Sequence, residues 1–108
     1  MDESLFVSDA VQVHDVTLAD GKVYKLHFKE YSGAAFAQYA LAIRSDDPQV
    51  RSQAPAILIA ASVCNPDGSS ALSFTKACTL KPAPMNAIFA KVMEVNAVRG
   101  PGDPEKKA

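Results

Sequence analysis

Two histidines and two cysteines are the side chains of this sequence best suited to bind a metal ion or act as a nucleophile. An Asp20-Gly21 turn between two β-prone segments predicts a hairpin in which His14 and His27 are cross-strand neighbours. Two imidazoles could hold one metal ion, but a zinc site needs three or four protein ligands. Only Asp15 and Glu30 add carboxylates nearby. We therefore predict no metal site, and a packing or solvated role for the two histidines.

The two cysteines do not suggest a disulfide framework or a catalytic thiol. Cys64 closes an apolar run and Cys78 lies between an alanine and a threonine. A nucleophilic thiol would need a histidine base that folds nearby, and both histidines are far upstream. We expect both cysteines to behave as small buried hydrophobic residues.

An acidic pair, Asp46 and Asp47, could in principle do acid–base chemistry. The pair stands directly before Pro48, however, and an acidic N-cap followed by a proline is typical of a helix start. The chain also has no glycine-rich phosphate loop and no nucleophile-elbow, zinc-protease or EF-hand motif. We predict no catalytic residue, no cofactor and no enzymatic activity.

The composition is that of a single soluble globular domain. The 108 residues are 48% hydrophobic and carry 11 basic against 12 acidic side chains, a formal net charge of −1. This balance argues against a nucleic-acid surface, which needs a basic excess to neutralise phosphates. No apolar run reaches the roughly 18 to 20 residues of a membrane helix, and the acidic start lacks the layout of a secretory signal. We predict neither a nucleic-acid nor a membrane partner.

The elements that would position these residues begin with the hairpin. A two-residue loop at Asp20-Gly21 predicts that Leu18 lies opposite Val23. The second strand should present alternate side chains to the core, namely Tyr24, Leu26 and Phe28.

Two helices follow the hairpin. Ser32 is the predicted N-cap of a helix that runs to about Arg44, with a buried stripe of Phe36, Tyr39, Ala40 and Ile43. A second helix starts at Asp46-Asp47-Pro48 and ends near Cys64, kinked or restarted at Pro55. Its predicted apolar face consists of Val50, Ala54, Ile57, Leu58 and Ala61.

The remaining elements are a turn at residues 65–68, a short helix and a last helix. Ser73 should cap the short helix, which runs to about Leu80, and the last helix should span Pro84 to Val98. The predicted inward residues are Phe74, Ala77 and Cys78 in the short helix, and Met85, Ile88, Phe89, Val92 and Val95 in the last.

These elements predict an α+β fold with an N-terminal β-hairpin packed on a small bundle of about four helices. Residues 1–10 are expected to form a flexible N-terminus, 11–99 a single α+β domain, and 100–108 a flexible polar tail.

The short helices carry more apolar surface than one stripe each. Apolar residues lie on adjacent faces around residues 57–59 and 88–89, and large exposed apolar patches usually mark partner surfaces. We predict a protein-binding surface at which Ile57, Leu58, Ile88, Phe89 and Val92 supply core and groove together. The alternative, that the hairpin and neighbouring helices cover all of them, stays open.

The order of parts resembles that of the tail assembly chaperones of long, non-contractile-tailed, lambda-like phages. That family typically opens with a strand pair around an Asp-Gly turn and a Ser-Gly start to its helices, matched here by residues 16–24 and 29–33. An apolar helix then leads to an Asp-Gly turn and a Phe-Thr helix start, matched by 57–64, 65–68 and 73–75. The family often has Asn-Gly-Leu where Asn96-Ala97-Val98 stands, so that match is partial. The resemblance covers most of the chain, and each motif alone is degenerate.

The resemblance implies a non-enzymatic role without cofactors. Such proteins bind the long, helical tape measure protein, keep it soluble and promote polymerisation of tail tube protein around it. It also implies self-association, late expression in the host cytoplasm and absence from the finished virion. Many members have a longer form made by ribosomal frameshifting, and Lys106-Lys107-Ala108 would permit the required run of adenines.

Two other functions stay open on the sequence. One is another small phage structural protein, such as a tail- or head-completion protein, which would remain in purified particles. The other is a small cytoplasmic enzyme or regulator that uses the two histidines.

Overall fold

A computed structural model describes residues 2–18 and 20–97 of the chain. It confirms the predicted α+β fold, in which an N-terminal β-hairpin packs on four helices. A short third strand extends the hairpin to an antiparallel sheet of order β1-β2-β3. The elements are a 3-10 helix at Glu3–Leu5, then β1 (Gln12–Thr17), β2 (Val23–Phe28), α1 (Gly33–Ile43), α2 (Pro48–Ser62), β3 (Val63–Cys64), α3 (Phe74–Ala77) and α4 (Pro82–Val95).

Some predictions fall on residues that the structure does not describe. The polar tail 100–108 and the pair Lys106-Lys107 lie outside the described residues. α4 ends at Val95, because Asn96 follows as its C-cap and its side chain donates to the Val92 carbonyl, so the predicted extension of this helix to Val98 is wrong. Within the described part, none of the helices has the length and apolar character needed to cross a membrane.

The connection between β1 and β2 is one residue longer than predicted. Leu18 accepts a hydrogen bond from the Gly21 N–H at 2.9 Å and donates one to the Lys22 carbonyl at 3.0 Å. Leu18 therefore pairs with Lys22, and its predicted pairing with Val23 is wrong. Gly21 has a φ of 84°, a conformation that glycine adopts without the strain of a Cβ. The glycine thus serves a three-residue connection in place of the predicted two-residue turn.

This longer connection shifts the register by one residue and exchanges the two faces of β1. The predicted pairing of His14 with His27 is wrong, because each lies opposite an aliphatic residue of the other strand. Val16 is buried, whereas the predicted register would have turned Asp15 inward. Asp15 instead stays exposed beside Lys25, with an N···O distance of 3.4 Å. The preference for burying a valine over a carboxylate explains the register that forms.

The inner face of β2 is close to the prediction. Phe28 is fully buried and Leu26 is half-buried, but Tyr24, nearest the turn, is exposed. β2 therefore covers the core with the half that is farther from the turn, whereas β1 buries Val16 nearer the turn.

Three helix starts are confirmed by their capping hydrogen bonds. Ser32, Asp47 and Ser73 cap α1, α2 and α3, each accepting a backbone N–H two or three residues ahead at 2.9–3.1 Å. Such caps satisfy N–H groups that have no partner within the first turn of a helix. Asp47 therefore serves as a cap, as its position before Pro48 predicts.

α2 runs through Pro55 as one helix and ends earlier than predicted. It stops at Ser62, and Val63 and Cys64 continue as β3, pairing with the end of β2. Ser62 is fully buried at this junction. Its hydroxyl donates to the Lys29 carbonyl at 2.6 Å, and its own carbonyl accepts the Lys29 N–H at 2.8 Å. These bonds join the end of α2 to the sheet, and the helix ends two residues short of its predicted end near Cys64.

The last two helices differ from prediction, α4 at its start and α3 at its end, since α3 stops at Ala77 and does not reach the predicted end at about Leu80. α4 begins at Pro82, two residues before the predicted Pro84, because Pro82 occupies the first helical position, where no N–H is needed. In α3, Ala77 is fully buried and Cys78, just after the helix, is half-buried, as predicted. Phe74 is exposed, since α3 is a single turn that can face the core on one side only.

The core lies between the sheet, α2 and α4. Its largest fully buried side chains are Phe28, Leu58, Ile59, Val92 and Ser62. The predicted stripe of α1 is wrong for Phe36 and Ile43, which are exposed, while Ala42 is the buried residue of this helix. Val50 of the predicted α2 face is also exposed, together with residues 48–52 around it. The ends of α1 and α2 near their connection thus lie outside the core.

Candidate protein-binding surface

The predicted protein-binding residues divide into two groups. Leu58 and Val92 are fully buried, and Ile88 is 9% exposed, so these three belong to the core. Ile57 and Phe89 are half-buried and reach the surface. A binding role for this set stays a prediction, and only Ile57 and Phe89 are accessible enough to touch a partner directly.

A more exposed apolar surface lies on α1, which sequence periodicity placed in the core. Its eleven residues include no charged side chain, and Ala42 alone is buried. Leu41 is 66% exposed, and Phe36 and Ile43 are exposed at 42% and 43%. A helix that is apolar on every side is usually buried on every side. The absence of charge over Gly33–Ile43 is the sequence signal that could have identified this surface.

Four aromatic rings form a row from the loop before α1 to α4. Phe36 lies in the middle of the row, with ring centroids 6.0 Å from Tyr31 and 5.8 Å from Tyr39. Tyr39 in turn contacts Phe89 at 5.7 Å. We call Tyr31, Phe36, Tyr39 and Phe89 the aromatic row; it joins the α1 surface to one of the predicted binding residues.

Hydrogen bonds fix the first ring of this row. The Tyr31 hydroxyl donates to the Met93 sulfur at 3.9 Å, and the Tyr31 N–H donates to the side-chain oxygen of Asn96 at 2.9 Å. The Asn96 amide also donates to the Val92 carbonyl at 2.8 Å. Burial, and secondarily the neighbouring Tyr39, raises the pKa of Tyr31, so its hydroxyl remains a neutral hydrogen-bond donor at neutral pH.

The N-terminal segment adds a second exposed apolar group beside the start of α1. Leu5, Phe6 and Val7 are all exposed, Leu5 by 68%. The next residue, Ser8, donates its N–H to the Glu30 carboxylate at 2.8 Å, which holds the segment beside the loop that leads into α1. A groove of about 300 Å³ there is lined by Val7, Ser8, Asp9, residues 29–32 and Ala61.

The histidines lie on opposite faces of the sheet. His14 faces the core side, with its ring edge-on to Phe28 at 5.9 Å and its Nε2 3.1 Å from the Gln12 side-chain oxygen. His27 points to the other face, opposite Cys64 of β3. Among the described residues, no group of three His, Cys, Asp or Glu side chains is arranged to hold a metal ion.

The cysteines and acidic residues are not arranged as a nucleophilic site. Cys64 is buried, and burial raises the pKa of its thiol, which disfavours the reactive thiolate. Asp47 is occupied as a helix cap, as described above. Asp67 accepts both the hydroxyl and the N–H of Ser69, at 2.6 and 2.9 Å, and these bonds lower its pKa. They hold the turn at residues 65–68, where Gly68 has a φ of 89°.

A cavity of about 620 Å³ lies between the hairpin turn and the start of α4, lined by Leu18, Asp20, Tyr24 and residues 81–84. A helix N-terminus often binds anions through its free N–H groups. Here Pro82 and Pro84 have no N–H, so the first turn of α4 offers few donors. Among the lining residues, the cationic Lys81 is accompanied by the anionic Asp20, so the cavity has little to attract a phosphate.

Comparison with known proteins gives no match, whether against protein-family models, curated proteins or solved structures. A functional assignment must therefore come from the residues of this chain and the order of its parts.

Proposed function

We propose that this protein is a phage tail assembly chaperone that binds the tape measure protein, keeps it soluble and promotes tail tube polymerisation around it. The order of hairpin, Ser-Gly helix start, apolar helix and Asp-Gly turn supports this, since it is similar to the order in that family. The observation that carries the proposal is the uncharged and exposed α1 with its adjoining aromatic row. A surface of this kind favours binding of an apolar partner over catalysis.

The aromatic row suits the apolar stripe of a client helix. Its rings are spaced 5.7–6.0 Å apart, close to the pitch of about 5.4 Å at which an α-helix repeats a face. Successive apolar side chains of a client helix could therefore each meet one ring. This is the helix-in-groove mode of recognition, in which anchors recur every three or four residues.

The structure sharpens which side chains would make that contact. Phe36 and Phe89 are accessible members of the aromatic row, while Leu58, Ile88 and Val92 support the row from the core beneath. Ile57 is half-buried on α2. We propose Phe36, Tyr39 and Phe89 as client contacts, with the buried residues in a supporting role.

The proposal includes the partners and location of such chaperones. The tape measure protein is the client, the tail tube protein polymerises around it, and copies of this chain associate with each other. The protein acts in the host cytoplasm as a late product and is absent from the finished virion. A longer frameshifted form belongs to the same proposal.

Co-expression with a helical tape measure fragment tests the function. The full chain should copurify with the fragment and increase its soluble yield. Phe36→Asp should abolish copurification, because it places a charge in the apolar contact. Phe74→Asp is the matched control, since Phe36 and Phe74 have the same exposed fraction of 42% but lie on different helices.

Circular dichroism of both variants verifies that each is folded. Equal capture of the fragment by folded Phe36→Asp, Phe74→Asp and unaltered protein would contradict the proposed contact. Failure of the unaltered protein to bind any tape measure segment would contradict the function itself.

The alternative function is another small phage structural protein, such as a tail- or head-completion protein. The same exposed apolar surface would then be covered permanently in the particle. Mass spectrometry of purified virions separates the two, because a chaperone is absent there and a structural protein is present. The third function, built on paired histidines, loses its premise because His14 and His27 lie on opposite faces of the sheet.

A further inference from the structure

The outermost stripe of α1 has a spacing and shape that fit a second copy of itself. Gly33, Ala37 and Leu41 recur every four residues and are all exposed. A side chain added at Gly33 would meet no heavy atom within 4 Å, so the space above the start of α1 is open. Leu41, at the other end of the stripe, is a large apolar side chain that is 66% exposed.

We propose that this protein forms a dimer in which α1 packs antiparallel against α1 of a second copy, about a two-fold axis at Ala37. The axis places Leu41 of each copy above Gly33 of the other. A knob from one helix thereby fills the open space on its neighbour, as in ridges-into-grooves packing. The small residues at the centre allow the two helices to approach closely, and α1 brings no charge of its own into the contact.

Charge complementarity at the rim supports this arrangement over other occupants of the surface. Arg44 is the C-cap of α1, and Glu30 lies in the loop before the N-cap Ser32, so antiparallel packing brings the Arg44 end of each helix to the Glu30 end of the other. Arg44 is exposed and Glu30 is half-buried. Asp46 lies close to Arg44 in the sequence and Lys29 lies next to Glu30, and each carries a charge opposite to that of its neighbour. Antiparallel packing also sets the negative end of each helix dipole beside the positive end of the other.

The apolar N-terminal segment extends the contact area. An eleven-residue helix is only about 16 Å long, and a stable interface buries about 800 Å² on each partner. Leu5, Phe6 and Val7 lie beside the start of α1 through the bond from Ser8 to Glu30. In the dimer, Leu41 and the C-terminal end of α1 of the second copy lie against this N-terminal segment. The modest size of α1 predicts a weak dimer, with a Kd on the order of micromolar.

The proposed function includes self-association, and this dimer is one specific form of it. The dimer rests on the proposed function in that respect alone. Its test measures mass alone, without the tape measure protein. A failure to dimerise would leave client binding untouched, and a failure of client binding would leave the dimer untouched.

Analytical ultracentrifugation of the full chain, at concentrations up to about 1 mM, measures the association directly. The expected mass is twice the chain mass of 11.5 kDa at high concentration. Leu41→Glu should stay monomeric, because it places two carboxylates in the apolar contact. Val23→Glu is the control: Val23 is 59% exposed on the outer face of the hairpin, and this variant should dimerise like the unaltered chain.

A charge-reversal pair tests the orientation. Arg44→Glu should raise the dimer Kd about tenfold, since it opposes two carboxylates at each of two equivalent contacts. Adding Glu30→Arg to Arg44→Glu should lower the Kd again, but only in part, because Glu30→Arg also removes the bond from Ser8 that holds the N-terminal segment. Lys76→Glu, a charge reversal at an exposed position on α3, should change it less than twofold, about the limit for a distant surface charge.

Three results would overturn the dimer: a monomeric chain at every concentration, equal association of Leu41→Glu and the unaltered chain, or assembly that grows beyond two copies. The last would indicate head-to-tail contacts in place of a two-fold axis. A monomer that binds a client helix through Leu41 would also overturn it, because the occupant of the stripe would then be the client.

Discussion

α2 and α1 are neighbouring helices that pack on each other, yet they contribute to the molecule in opposite ways. α2 sends Leu58, Ile59 and Ser62 into the core, where all three are fully buried, while its exposed first turns are largely polar. α1 has no charged residue, only Gln38 as a polar amide, and buries Ala42 alone. The difference lies in what surrounds each helix, since α2 is enclosed by the sheet, α4 and α1, whereas α1 packs mainly on α2.

The difference teaches that apolar character and burial within one chain are separate properties. An apolar residue that contributes to folding stability must lose contact with water in the monomer. Apolar residues that stay exposed contribute little to folding and remain available to a partner. α2 therefore contributes strongly to the stability of this domain, whereas the exposed apolar side of α1 is the surface for which we propose a partner.

The largest expected effect comes from comparing a leucine-to-alanine substitution in α2 with the same substitution in α1. Leu58→Ala should lower the free energy of unfolding by about 3 kcal/mol, because it removes a fully buried side chain and leaves a cavity. Leu41→Ala should lower it by less than about 0.5 kcal/mol, as expected for an exposed position. Urea denaturation at low protein concentration, where the chain is monomeric, measures both. Similar losses from the two variants would contradict the division between the helices.

A smaller effect is expected from removing a serine hydroxyl that donates to a backbone carbonyl, at one buried and one exposed position. Ser62→Ala removes the buried 2.6 Å bond to the Lys29 carbonyl and should cost about 1 kcal/mol of unfolding free energy. Ser52→Ala removes an exposed 2.8 Å bond to the Gln49 carbonyl on the same helix, and water can replace it at a cost below about 0.5 kcal/mol. The same denaturation experiment compares them. A larger loss from Ser52→Ala would show that the junction of α2 with β3 is not a stabilising point.

The smallest effect is a dependence on pH in the turn after β3. The hydroxyl and N–H of Ser69 lower the pKa of Asp67 in the folded chain. The ionised carboxylate therefore adds stability above the unfolded pKa of about 3.9, and this stability is lost as pH falls through the lower folded value. Asp67→Asn should be slightly less stable than the unaltered chain at pH about 7, with the gap narrowing toward pH about 3. A gap that widens on acidification would contradict the assigned bonds.

Much of the fold followed from local signals in the sequence. Ser32, Asp47 and Ser73 were recognisable as caps because capping depends on a residue and the backbone a few positions ahead. The inward positions of α4 followed from helical periodicity, since that helix has one apolar side against the core. Each signal acts over one helical turn and needs no knowledge of the rest of the chain.

The remainder depended on interactions between distant parts of the chain. The hairpin register depended on whether Val16 or Asp15 is buried. The Asp-Gly turn carries no information about that. β3 forms because β2 offers a partner strand to Val63, a contact between distant segments. For α1, periodicity could not identify an inner side because apolar residues occupy most of its circumference, so Leu41 was missed as a surface residue.

The central claim is that the exposed stripe of α1 meets a second copy of itself at Ala37. Oxidative cross-linking of Ala37→Cys tests it most directly, because a residue on a two-fold axis can form a disulfide with its own copy when the Cα atoms are about 4.4–6.8 Å apart. Ala90→Cys, at another exposed alanine, on α4, is the control in the same background of native cysteines. We predict rapid formation of a covalent dimer from Ala37→Cys and little from Ala90→Cys. Equal cross-linking of the two variants, or none from Ala37→Cys, would contradict the claim.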